Sequence, residues 1–288
     1  MTDDRHDGLP DGHRHHPDRP RQGSFKRVTS LTNPLVKDIR NLQQKKFRDE
    51  KSLFIAEGQK LVRDAMDGDW PIETLVYGDE LAGDEAIGQL AARAKTAGAT
   101  VMEVSALVLE KIARRDNPQT VIGIFRQHFA PASSVGEGGL WVALDRVRDP
   151  GNLGTILRTA DAAGVAGVAL VGHCCDPFAS ETVRATMGSI FHVPMAKISE
   201  EAFLSHVRRR KLHLVGTHLS AKTMDYRAAR YDAPTLLLMG NEQQGLTVDL
   251  ADACDELVKI PMRGRADSLN LAVSTGLMIY EALRTTLR

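Results

Sequence analysis

The sequence predicts an α/β protein of two domains. Apolar runs of strand length alternate with amphipathic stretches of helix length from residue 54 to the C-terminus. The chain of 288 residues is long enough for about two cores. Between the two alternations lies Ala130-Pro131-Ala132-Ser133-Ser134-Val135-Gly136-Glu137-Gly138-Gly139, a linker by composition.

The elements follow in order. Residues 1–24 are rich in Asp, Arg, His, Pro and Gly and offer almost nothing to bury, so a disordered tail is expected. His13, His15 and His16 could take a metal adventitiously, but no Cys or paired carboxylate supports a built site, and none is expected. A helix should start near Leu35. Phe54-Ile55-Ala56 reads as a strand, Gly58 to Met66 as a helix, Leu75-Val76-Tyr77 as a strand and Ile87 to Ala97 as a helix. Val101-Met102-Glu103-Val104 and Val121-Ile122-Gly123-Ile124-Phe125 complete a domain over residues 25–130, with the linker at 131–139.

The second domain, residues 140–288, has strands expected at Leu140–Leu144, Val165–Val171, Val193–Ala196, Leu212–Thr217, Thr235–Met239 and Leu257–Ile260. A closing helix should run from about Ser268 to Leu287. After the first of these strands, Asp149-Pro150-Gly151-Asn152 is turn chemistry, and Asn152 can cap the helix that follows. Leu153, Ile156, Leu157 and Ala160 repeat at helical spacing, which turns Arg158 almost opposite the apolar stripe.

Composition bounds the function. Lys plus Arg and Asp plus Glu each number 37, so no global field announces a nucleic-acid partner, although a local patch suffices. Such a patch exists between Lys26 and Lys51, where eight basic residues face three acidic ones. Lys37, Arg40, Lys45, Lys46 and Arg48 are its candidate contacts to a phosphate backbone, a solvated helix face being the alternative. Three cysteines, two of them adjacent (Cys174 and Cys175), cannot make a disulfide framework and suggest a reduced, cytoplasmic protein. No apolar run is long enough for a membrane span.

Familiar catalytic signatures are missing. There is no Gly-x-Gly-x-x-Gly after the first strand of either domain, no phosphate-binding Gly-x-x-x-x-Gly-Lys-Ser/Thr, no Gly-x-Ser-x-Gly and no His-Glu-x-x-His. Three polar clusters remain, each at the end of an apolar strand. They are Asn152 with Arg158, the loop Gly240-Asn241-Glu242-Gln243-Gln244-Gly245-Leu246, and Ile260-Pro261-Met262-Arg263-Gly264-Arg265-Ala266-Asp267-Ser268-Leu269-Asn270. In parallel α/β proteins strand ends on one edge share a crevice, so the three could converge. Singly, each could be a turn or a helix cap, with Ser268 capping the last helix.

Together, in this order, the clusters resemble the three signature motifs of SpoU/TrmH-type RNA ribose methyltransferases of the SPOUT superfamily, over about Leu140 to the C-terminus. Met187-Gly188-Ser189 followed by Pro194 is a weaker match. Ser30-Leu31-Thr32-Asn33-Pro34 through Glu57-Gly58 resembles the substrate-binding domain, related to ribosomal protein folds, that many members carry. The resemblance implies a trefoil-knotted C-terminal domain, S-adenosylmethionine as methyl donor, a ribose 2′-hydroxyl of ribosomal or transfer RNA as acceptor, and a homodimer. It also implies catalytic positions at Asn152, Arg158, Glu242, Ser268 and Asn270, and cofactor contacts at Thr217, Gly240, Asn241, Gly245, Ile260, Met262 and Leu269. In that setting Arg263 and Arg265 join the expected RNA contacts. A guanidinium does not give up its proton, so Arg158 suits a clamp on phosphate and hydroxyl better than a base. A non-catalytic RNA-binding protein and methylation of a base nitrogen are the rival readings.

Overall fold

The computed structural model describes residues 22–113, 120–220, 222–232 and 234–287. The tail expected at residues 1–24, with His13, His15 and His16, lies mainly outside them. The elements are β1 (Ser24–Val28), α1 (Pro34–Asn41), α2 (Lys45–Lys51), β2 (Leu53–Glu57), α3 (Gln59–Asp67), β3 (Ile72–Gly78), α4 (Glu85–Thr96), β4 (Thr100–Val104), α5 (Ala106–Ala113) and β5 (Val121–Arg126). There follow β6 (Trp141–Asp145), α6 (Pro150–Ala162), β7 (Gly167–Val171), α7 (Ser180–Ala185), β8 (Met195–Ile198), α8 (Glu200–Arg210), β9 (His213–Thr217), β10 (Met224–Asp225), β11 (Thr235–Met239), α9 (Val248–Asp252), β12 (Glu256–Lys259) and α10 (Leu271–Ala282).

The first ten elements build a five-stranded sheet in the order β1-β4-β3-β5-β2. Within it β1, β4 and β3 are parallel, and β5 runs antiparallel to both β3 and β2. The second sheet has seven strands in the order β10-β12-β9-β11-β6-β7-β8, every pair parallel. Its inner strands are covered on both faces, so β6, β7 and β11 bury every residue.

The two sheets are joined by one apolar core. Phe54 of β2 sits 4.7 Å from the Phe178 ring and edge-on to Trp70, while Trp70 meets Phe191 at 5.4 Å. Trp70 Nε1 donates to the Phe191 carbonyl at 3.0 Å, which satisfies the one polar atom of that cluster. Beside the rings lies a buried ion pair. Arg48 of α2, only 4% exposed, donates through Nε and Nη2 to Asp176 Oδ2 at 2.9 and 2.7 Å and through Nη1 to the Leu42 carbonyl.

Several expectations are corrected. Asp149, not Asn152, caps α6: its carboxylate accepts from the Asn152 backbone N–H at 2.6 Å and leaves the Asn152 amide free for other partners. Likewise Asn270, not Ser268, caps the last helix, accepting from the backbone N–H groups of Ala272 and Val273. That helix spans Leu271–Ala282, shorter than expected at both ends. The segment read as a linker is packed: Val135 is fully buried, His206 Nε2 meets its carbonyl at 2.9 Å, and Trp141 Nε1 donates to the Glu137 carbonyl. Strand β1 begins at Ser24, inside the stretch expected as tail, because Phe25 and its neighbours pair with β4 across 76 residues of sequence. Helix α5 was not expected at all. Among the described residues no helix is long and apolar enough to cross a membrane.

Candidate active site

The carboxyl ends of β9, β11, β6 and β12 lie side by side. Gly216 pairs with Leu238 and Thr217 with Val258, and Met239 pairs with Leu144. The polar loops that follow these strands therefore emerge on one edge of the sheet, where parallel α/β proteins hold ligands.

The loop after β11 is built by Asn241. Its Oδ1 accepts from the backbone N–H groups of Gln243 and Gln244, and its own backbone exchanges two hydrogen bonds with Gly245. Its Nδ2 donates to the Arg146 carbonyl at 2.8 Å and ties the loop to the end of β6. Asn241 is buried and its side chain is consumed inside the loop, so it shapes the turn without presenting its amide. Two glycines make this turn possible. A Cβ at Gly240 would lie 2.6 Å from the backbone of Gly245 and Leu246, and Gly245 sits at φ +67°.

Arg146, at φ 48°, is a non-glycine residue in the left-handed region at this junction. Its guanidinium is bidentate to Asp145, from Nε to Oδ1 at 2.8 Å and from Nη2 to Oδ2 at 2.9 Å. Asp145 has no exposed side-chain surface, and this fork supplies the charge its burial requires. The same guanidinium reaches Gln244 Oε1 at 3.1 Å and the Gly245 carbonyl at 3.4 Å. Spacing gave no signal for this residue; only a strand-end Arg beside a buried Asp could have suggested it.

Three catalytic positions expected from the sequence meet in one hydrogen-bonded chain. Asn270 Nδ2 donates to Asn152 Oδ1 at 2.8 Å, and Asn152 Nδ2 donates to Glu242 Oε1 at 3.3 Å. Each comes from a different loop: the first turn of α6, the loop after β11 and the cap of α10. Helix α10 packs along α6, with Gly276 3.6 Å from the Thr159 methyl on a Cβ-to-Cγ2 basis.

Arg158 lies one face round on α6. It is exposed and makes no hydrogen bond or ion pair among the described residues. Ser268 is also exposed and has no side-chain partner among the described residues, so neither is brought into the chain of amides. Thr217 Oγ1 turns inward and donates to the Leu238 carbonyl at 3.5 Å. Ile260 is half-buried, and every residue from 261 to 270 is exposed, including the apolar Met262 and Leu269 and the basic Arg263 and Arg265.

The expected RNA contacts of the first domain divide. Lys37, Lys45 and Lys46 are exposed, with Lys45 ion-paired to Asp49. Arg40 is half-buried, and its Nε is buried without a hydrogen-bond partner among the described residues. Arg48 is committed to Asp176, so it fastens the first domain to the second instead of facing solvent.

Cys174 and Cys175 line the turn after β7. The Cys174 thiol donates to the carbonyls of Leu144 and Val171, and burial pushes its pKa up to about 11; burial first, then Cys174, pushes Cys175 up to about 12. These are packed thiols without nucleophilic character at neutral pH.

Residues 139–280 match the model of the SpoU rRNA Methylase family, and residues 33–123 match an MRM3-like substrate binding domain. An AdoMet-bound rRNA methyltransferase from Sinorhizobium meliloti superposes with a TM-score of 0.86 at 54% identity, covering 92% of this chain and 99% of that one. A 23S rRNA (uridine(2479)-2′-O)-methyltransferase of Streptomyces viridochromogenes is 30% identical over 92% of this chain and 94% of its own length. A 23S rRNA (guanosine(2553)-2′-O)-methyltransferase of Bacillus subtilis is 28% identical over 89% and 98%. With both sheets, the three strand-end loops and the match to full-length relatives in agreement, the chain belongs to the SpoU rRNA Methylase family.

Proposed function

We propose that this chain is an S-adenosylmethionine-dependent RNA 2′-O-ribose methyltransferase whose acceptor is ribosomal or transfer RNA. The observation that carries the reading is the Glu242···Asn152···Asn270 chain, which draws the three motif loops to one point, with Arg158 exposed six residues further along α6 and unpartnered among the described residues. Family members that act on a ribose 2′-hydroxyl include the two 23S rRNA enzymes above.

The strand-end loops fit the donor. Backbone groups of the Gly240–Gly245 turn, uncrowded by side chains, can hydrogen-bond an adenine edge, and Ile260, Met262 and Leu269 offer apolar surface for its faces. Thr217, Gly240, Gly245, Ile260, Met262 and Leu269 would hold it, with Asn241 fixing the turn. When bound, the sulfonium supplies an electrophilic methyl group.

The protein's own work is positioning and proton management. Arg158 carries five N–H donors and no acceptor, so it cannot serve as base. It clamps the acceptor strand's phosphate and 2′-oxygen and lowers the hydroxyl pKa, while water or phosphate takes the proton. Asn152 and Asn270 set the two motif loops, and Glu242 holds the Asn152 amide in place. Ser268 stands on the exposed approach with Arg263 and Arg265, which with Lys37, Arg40, Lys45 and Lys46 would attract the RNA backbone.

Residues 25–130 serve as the substrate-binding domain and 140–288 as the catalytic domain, the latter threaded as a trefoil knot through its last loops. Val273, Leu277 and Tyr280 form an exposed stripe at helical spacing on α10, 53%, 39% and 51% exposed. This stripe, beside Leu269 and Met262, supports a homodimer that covers it and completes the site. An RNA substrate and three free thiols among the described residues support a cytoplasmic location.

The test is transfer of labelled methyl from S-adenosylmethionine to total RNA of a strain lacking the protein, followed by digestion to nucleosides. Label in a 2′-O-methylnucleoside is expected. Label on a base would overturn the acceptor, and no transfer with no donor binding by calorimetry would favour the non-catalytic RNA-binding reading.

A further inference from the structure

A cleft of about 420 Å³ opens between the two domains, on the side of β6 away from the Gly240–Gly245 loop. Its walls are Lys45 of α2, the turn Gly172 to Asp176 after β7, and Lys197, Ile198 and Ser199 at the end of β8. Its size matches small-molecule and nucleotide sites, and it lies at the carboxyl ends of parallel strands.

The cleft is mechanically continuous with the proposed active site. Its turn is strapped to the segment that leads into α6: Cys175 N–H donates to the Val147 carbonyl at 2.7 Å, and Arg146 N–H donates to the Val171 carbonyl at 3.0 Å. On the other side it is fixed to the first domain. Asp176 is held by Arg48, and Ser180 Oγ donates to Gln43 Oε1 at 3.0 Å. A ligand in this cleft would touch both domains and rest on the turn that is hydrogen-bonded to Arg146 and Val147, the segment leading into α6.

Charge selects the ligand. Asp176 is neutralised by Arg48, and Lys45 by Asp49. Lys197 has no ion pair among the described residues; its ammonium rests 4.2 Å over the Phe129 ring. Burial lowers its pKa and Lys45 lowers it further, against the opposing pull of Asp176 and Asp49, so the ammonium is partly desolvated without a direct ion pair of its own. His173 and the Ser199 hydroxyl add further hydrogen-bonding groups at the rim.

We propose that this cleft takes the phosphodiester next to the acceptor ribose of the RNA strand, with Lys197 as its principal contact and Lys45 as the second. The proposal rests on the methyltransferase reading. An anion here gives Lys197 the direct ion pair it lacks among the described residues and offsets the effect of Lys45 upon it. It would also fix the strand on the side of Asn152 opposite the donor loops, as a reaction between two bound groups requires.

The experiment compares wild type with Lys197→Gln, Lys197→Arg and Lys45→Gln. Labelled methyl transfer and filter binding both use total RNA from a strain lacking the protein. Lys197→Gln should raise KM for RNA about 10-fold, with kcat within about 2-fold and donor affinity by calorimetry unchanged. It should reduce the slope of log K against log salt by about 0.7, the value for one phosphate on a single strand. Lys197→Arg should restore most of the loss, and Lys45→Gln should give a smaller shift in the same direction. Unchanged KM and salt slope in both Gln variants would overturn the proposal. If wild type itself transfers no methyl, the enzyme reading fails, while the filter-binding slopes still decide whether the cleft holds phosphate.

Discussion

Asn270 Nδ2 donates to Asn152 Oδ1 at 2.8 Å, joining residues 118 positions apart in the chain. Asn270 is at once the cap of α10 and a donor to the first turn of α6, so the loop between β12 and α10 cannot shift without disturbing the Asn152 amide. Asn152 passes the restraint on to Glu242. Asn152→Ala removes both bonds and frees two loops; kcat should fall about 10–100-fold, as misplacement of about an ångström does. Asn152→Asp keeps the acceptor for Asn270 but sets a carboxylate against Glu242, so it should be no better. Steady-state methyl transfer checks both.

Arg146 governs the donor loop. Arg146→Ala leaves the Asp145 carboxylate buried without its fork and releases Gln244 and the Gly245 carbonyl. A stability loss of about 3–5 kcal/mol is expected by denaturant unfolding. Donor affinity should weaken about 10-fold by calorimetry, because the Gly240–Gly245 turn loses its outer support. Arg146→Gly should be less harmful than Arg146→Ala by about 1 kcal/mol, since φ 48° favours glycine.

Arg48 separates two explanations of the basic arc. As a buried partner of Asp176, its replacement by Ala should cost about 3–5 kcal/mol of stability. Lys46→Ala, at an exposed site, should stay within about 0.5 kcal/mol while flattening the salt dependence of RNA binding. An Arg48→Ala variant of unchanged stability would contradict the ion pair.

The thiols give a pH signature. Burial raises Cys174 to about 11 and both Cys175 and Cys254 to about 12, all above the unfolded value of about 8.5. A raised pKa means the folded state holds its proton longer. Its stabilising contribution is therefore complete below about pH 8.5 and is lost as pH rises towards 11–12. Alkylation at pH 8 should be slow in the native protein and fast in denaturant; rapid native labelling would contradict the packing.

Much of the catalytic half was legible because its strands are continuous apolar runs ended by unmistakable turns. Thr235–Met239 is found where the sequence places it, the other five expected strands differ by one or two residues at their ends, and the two-residue β10 was not expected. The helix caps were misassigned because each motif holds two polar residues that can cap. At α6, Asp149 precedes Pro150, and a proline fits best at the first helical position, which makes Asp149 the cap. At α10, Asn270 stands directly before the apolar run. In the basic arc, charge counting could not distinguish Arg48 from Lys46, because the partner Asp176 lies 128 residues away. Strand β1 was hidden for the same reason, and so was the reach of Arg146 to Gln244 and Gly245, although its partner Asp145 is its neighbour in sequence.

The most direct measurement is methyl transfer by Arg158→Ala alongside donor binding by calorimetry. Arg158 is exposed and unpartnered, so its loss should leave the fold and the strand-end loops intact. The expected result is transfer lowered by about 100-fold or more, as for loss of a principal charge-stabilising donor, with donor affinity unchanged. Near-normal transfer would remove Arg158 from the reaction and contradict the site described.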